Sequence, residues 1–133
     1  MKMRKFLQNK LWRDKAADRY RRSGSIIHTK PLSPEEYHEQ LGIKLAEEAL
    51  EVKTAESREQ LVEEIADVME VIEALLLAHH ISQSEITEKQ KAKRDERGGF
   101  LNRELIIVAE HPEGSFGAQY CLEQPNKYPE IIE

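Results

Sequence analysis

The chain has 133 residues, of which 34% are charged, 39% hydrophobic and 6% aromatic. That length suits one domain and excludes a second full one, and so few aromatic residues disfavour a β-barrel or sandwich. The formal charge of −5 argues against a broad nucleic-acid-binding surface.

The net charge hides a strong segregation. Residues 1–30 carry ten basic and two acidic side chains, a net of +8. Residues 31–84 carry thirteen acidic and three basic ones, a net of −10. The stretch 85–104 is close to neutral and 105–133 is mildly acidic. Cys121 is the one cysteine, so no intrachain disulfide can form. The N-terminus alternates charged and apolar residues, unlike the apolar run of a signal peptide. Apolar stretches such as Ala74–Ala78 are far short of the ~20 residues that cross a bilayer. A cytoplasmic protein without membrane association is expected.

In chain order, residues 1–22 predict a basic helix broken by Ser23-Gly24-Ser25. Ser33-Pro34-Glu35-Glu36 is a helix start, with Ser33 as N-cap, Pro34 at the first helical position and Glu36 completing a capping box. A long helix should run from about 34 to 55. Ser57, with Gln60 three residues on, starts a second over about 58–80. Ser82 and Glu85 start a third, which Gly98-Gly99 ends near Arg97. Leu105–Ala109 is β-prone. The tail 111–133, rich in Gly and Pro, should be irregular and partly extended. The expected class is therefore all-α, a helical bundle around a central antiparallel pair.

Placed on a helical wheel, Leu41, Leu45, Ala49 and Val52 form one stripe of the first long helix, within about 80° of one another. Glu48 lies at its edge, roughly 20° from Leu41, with Glu51 an i, i+3 neighbour. Glu47 falls on the opposite side from Leu45. On the second helix Leu61, Ile65, Val68, Met69, Ile72, Leu75 and Leu76 form a broad apolar arc, with Glu64 and Asp67 in or beside it. Four carboxylates at the margins of two facing arcs are costly without a counter-ion. An all-oxygen donor set suits Mg²⁺, with Mn²⁺ as the alternative.

The residues Glu47-Glu48-Ala49-Leu50-Glu51 and, twelve residues on, Glu64-Ile65-Ala66-Asp67 read E-E-x-x-E and E-x-x-D. This resembles the signature of the all-α nucleotide pyrophosphohydrolases, the MazG-like and phosphoribosyl-ATP pyrophosphohydrolase superfamily. Asn9–Lys15 and Lys93–Phe100 are similar to segments in one branch of it, so the resemblance covers roughly 9–107. It implies a domain over 1–110 with 111–133 as its tail. It also implies cleavage of a nucleoside triphosphate, or a related nucleotide, between the α and β phosphates, and a homodimer or higher oligomer.

On that reading Glu48, Glu51, Glu64 and Asp67 hold Mg²⁺, and Glu48 or Glu51 activates the water. Glu47 has a supporting or interfacial role. Arg13, Lys15, Lys91, Lys93, Arg94 and Arg97 are the candidates for phosphate contact. The alternatives are the phosphoribosyl-ATP step of histidine biosynthesis and a non-catalytic helical interaction module whose acids are merely solvated.

Overall fold

The computed structural model describes residues 2–133. Among them are five helices and no strand: α1 (Ala16–Arg22), α2 (Pro34–Thr54), α3 (Arg58–Ala78), α4 (Gln83–Arg97) and α5 (Phe116–Leu122). None is long and apolar enough to cross a membrane. The chain divides into two compact units, Met1–Glu96 and Arg97–Glu133.

The three longer helices start where their caps dictate. At α2 the Glu36 amide donates to Ser33 Oγ and the Ser33 amide donates to Glu36 Oε1, both at 3.1 Å. This reciprocal box satisfies two amides that have no partner within the helix. Those bonds, with Lys30 nearby, hold the Glu36 carboxyl below the usual glutamate range. At α3 the Gln60 amide donates to Ser57 Oγ and the Glu56 amide to Gln60 Oε1, both at 3.0 Å. At α4 the Glu85 amide donates to Ser82 Oγ at 3.2 Å, and Glu85 Oε2 accepts from the Ser82 amide at 2.8 Å. α4 stops at Gly98, whose φ of +81° is the left-handed conformation that glycine adopts without strain.

Helices α2 and α3 pack against each other along their length. The three residues between them, 55–57, leave room only for an antiparallel hairpin. The His38 and His79 rings stack at 4.1 Å, tying the start of α2 to the end of α3. At the other end Glu51 meets Glu64, which fixes the register.

The interface differs from the expected one. Leu41 (4% exposed), Val71 and Glu48 are the buried residues, with Leu45, Val52, Val68, Ala74 and Leu75 half-buried. Ala49 faces outward, as do Leu61, Ile65, Met69 and Ile72. Two helices shield only a narrow stripe of one another, so an arc as broad as that of α3 cannot close within a pair. The hairpin is therefore all that a single chain builds of the expected bundle; α4 buries no residue.

Three local expectations fail. The basic helix occupies only Ala16–Arg22 rather than 1–22. Leu105–Ala109 forms no strand and Leu105, Ile106 and Ile107 are exposed, because a β-prone run without a second edge has nothing to pair with. The tail is not wholly irregular: Ser115 Oγ accepts from the Ala118 amide at 3.3 Å and starts α5. Within its unit Tyr120 packs against both Phe116 and Tyr128, at 6.2 and 5.7 Å between ring centroids.

Replacing Ser33 with Ala removes one half of the α2 box. It should cost about 1 kcal/mol, read as a lower urea midpoint at unchanged slope. A loss no larger than that of an exposed Ser→Ala control elsewhere would contradict the assigned role.

Candidate metal centre

The four acids are carried by the turn-proximal half of the hairpin. Glu48 and Glu51 are one helical turn apart on α2, and Glu64 and Asp67 are one turn apart on α3, so each pair shares a face. The antiparallel register brings the two faces together. One carboxylate oxygen from each of Glu48, Glu51, Glu64 and Asp67 lies within 4.8 Å of all the others. Glu48 is 7% exposed, and the other three are half-buried.

Two bare carboxylates at that separation repel by about 3 kcal/mol at an effective dielectric constant of about 20. The protein offsets this in part with two cations. Lys44 Nζ lies 3.4 Å from Glu48 Oε1 and 3.3 Å from Glu47 Oε1. Arg13, from the segment ahead of α1, donates from Nη2 to Asp67 Oδ1. That bond raises the Arg13 guanidinium further above its ordinary range, though the side chain is largely solvated and the pair correspondingly weak.

The compensation is incomplete. Glu48 Oε2 and Glu64 Oε2 are buried without a hydrogen-bond partner. Burial, followed by the neighbouring Glu51 carboxyl, pushes Glu48 above the usual glutamate range, and Lys44 opposes them. An orphaned buried carboxylate oxygen is rare and costly. Two of them, on facing-helix carboxylates that both belong to an all-oxygen cluster, fit the donor preference of a hard divalent cation.

The other expected residues fall in different places. Glu47 lies beside the cluster, half-buried, where Lys10 at 3.4 Å and Lys44 share its Oε1. Lys15 precedes α1 and is exposed. Lys91, Lys93 and Arg94 lie on the exposed surface of α4, with Lys91 paired to Asp95 at 2.8 Å. Arg97 is the exposed last residue of α4. Of the six basic candidates, Arg13 alone makes an ion pair with one of the four acids among the described residues. Lys44 was missed from sequence; its i, i+3 and i, i+4 spacing to Glu47 and Glu48 is the signal that marks it.

The chain matches no protein-family model, no curated protein and no solved structure. What the centre can do rests on its own side chains.

Because the fold raises the Glu48 pKa, Glu48 binds its proton more tightly folded than unfolded. Its contribution favours the fold at low pH and is lost as pH rises through the raised value. In metal-free buffer Glu48→Gln should therefore gain melting temperature over the parent near pH 8. The gap should close towards about pH 4, where the parent Glu48 is protonated. A gap that stays constant across a thermal melting series would show that Glu48 does not titrate as described.

Proposed function

We propose that the protein is a Mg²⁺-dependent nucleotide pyrophosphohydrolase. It would cleave a nucleoside triphosphate, or a related nucleotide, between the α and β phosphates to give a monophosphate and pyrophosphate. The observation that carries this reading is the convergence of Glu48, Glu51, Glu64 and Asp67, with two buried oxygens lacking partners. The E-E-x-x-E and E-x-x-D spacing supports it.

The four carboxylates would hold Mg²⁺, or Mn²⁺, which when bound supplies charge to neutralise phosphate oxygens and acidity to a water. Glu48 and Glu51 are the groups placed to take the proton from that water. Water adds at the α phosphorus, the bond to the oxygen bridging α and β breaks, and the leaving pyrophosphate carries the electron pair away. Of the basic candidates Arg13, which reaches Asp67, stands nearest the cluster. Lys15, Lys91, Lys93, Arg94 and Arg97 remain candidates for the outer phosphates.

The outward-facing Leu61, Ile65, Met69 and Ile72 of α3 support the homo-oligomer that this reading also expects. A second chain laid on them would complete the bundle. The same exposed arc favours the competing reading, a non-catalytic module that binds another helix.

Purified protein, incubated with Mg²⁺ and a panel of canonical and modified nucleotides, should release pyrophosphate from at least one of them. Glu64→Gln and Asp67→Asn should each lower that rate by about 100-fold or more, since misplacing a catalytic group by an ångström costs that much, with the helical circular dichroism unchanged. Turnover surviving in both variants would place the chemistry elsewhere. Absence of release from every nucleotide, with no Mg²⁺-dependent rise in melting temperature, would leave the interaction module.

A further inference from the structure

The segment ahead of α1 is held against the hairpin by two ion pairs. Lys10 reaches Glu47 on α2 at 3.4 Å, and Arg13 reaches Asp67 on α3. Between them lies Trp12, half-buried and packed on Tyr20 of α1 at 5.5 Å between ring centroids. Fifty-four residues separate Arg13 from Asp67, so this contact docks a remote stretch of chain onto the acid cluster. Asp67 is also one of the four residues whose oxygens converge, and the buried, unpartnered oxygens of Glu48 and Glu64 lie in the same cluster.

We propose that Arg13 and a divalent cation exchange on Asp67, so that loading the carboxylate cluster detaches Arg13 and shifts the segment that carries Trp12. This rests on the metal reading of the four acids and adds a regulatory part to it. The guanidinium is bonded to one ligand carboxylate, and an oxygen of that carboxylate lies within 4.8 Å of the other three. A doubly charged ion there repels it, and repulsion at such range is strong wherever water is partly excluded. The pair is the weaker partner, because Arg13 is mostly exposed and an exposed ion pair contributes little. Lys44 differs: its side chain is only 20% exposed and it is shared by Glu47 and Glu48, so it stays. The exchange has a use in the proposed reaction. A guanidinium displaced from Asp67 becomes available to a phosphate as the cation arrives, and cannot occupy both.

The test uses the metal-stripped full chain. Mg²⁺ binding is measured by calorimetry on the parent, Arg13→Gln and Arg19→Gln, while the emission of Trp12, the single tryptophan, is followed in the same titration. Arg19 lies exposed on the neighbouring α1 and controls for loss of a positive charge. Arg13→Gln should bind Mg²⁺ up to about fivefold more tightly than the parent, the value of a surface ion pair expressed as affinity. Its metal-free emission should already match that of the loaded parent. Arg19→Gln should behave as the parent. Binding in Arg13→Gln but not in the parent would also support the exchange. Metal binding of equal strength in parent and Arg13→Gln, with Trp12 emission constant, overturns the exchange and leaves the metal site standing. Equal tightening in both variants reduces the effect to net charge and overturns it as well. No binding in any chain, each checked as folded by its helical circular dichroism, removes the metal site itself and the exchange with it.

Discussion

Mutual repulsion of four carboxylates in the α2–α3 seam is the constraint around which the hairpin is arranged. An ordinary helical hairpin places leucine at the middle of its contact, where burial contributes most. Here Glu48 lies inside the contact and is nearly as buried as Leu41. The most buried apolar residues, Leu41 and Val71, lie further from the turn, towards the stacked His38–His79 pair. The other end is closed by the short turn and the Ser57 cap. This stretch of the seam is thus its least self-sufficient part. It holds together through Lys44 on α2 and Arg13 from the segment ahead of α1.

That arrangement gives the charge segregation of the chain a structural meaning. The basic N-terminal stretch and the acidic middle would cancel if averaged, but two of the basic side chains are placed: Lys10 on Glu47 and Arg13 on Asp67. Neither pair is buried, so neither contributes much to stability. Their consequence is positional. They bring Trp12 and the start of α1 to the hairpin, and no apolar contact of comparable sequence separation would aim the segment at the carboxylates.

The elements were legible where local chemistry decides them. Ser33, Ser57 and Ser82 each carry a side chain that accepts from the amide three residues on, and all three helix starts fall beside them. The convergence of Glu48, Glu51, Glu64 and Asp67 was legible for a similar reason, since a turn of helix and an antiparallel partner fix it. Three features were not. The wheel placed the acids at the margin of the seam, whereas Glu48 sits within it, because hydrophobic periodicity alone locates the apolar arc and not the part of it that a partner covers. Leu105–Ala109 has strand propensity, but propensity cannot supply a second strand. The docking of Arg13 is long-range and polar, and leaves no periodic trace. The Ser115 cap of α5, by contrast, was present in the sequence and masked by the surrounding glycine and proline.

The electrostatic balance of the centre limits what it can accept. Four ionised carboxylates facing Lys44 and Arg13 leave a local excess of two negative charges, even before Glu47 draws on Lys44. The protein alone can lower that excess only by retaining a proton, and burial, followed by Glu51, shifts Glu48 in that direction. A proton neutralises one carboxylate and leaves the others in place. A monovalent ion does no better. One divalent ion removes more of the excess than either and gives the orphaned oxygens of Glu48 and Glu64 a partner. It also frees Glu48 to ionise and so to accept a proton from water. Each further positive charge then repels Arg13, whose hold on Asp67 is exposed and weak. Charge count, donor type and the position of Arg13 therefore select the same kind of occupant, a hard dication, and leave the displaced guanidinium needing an anion.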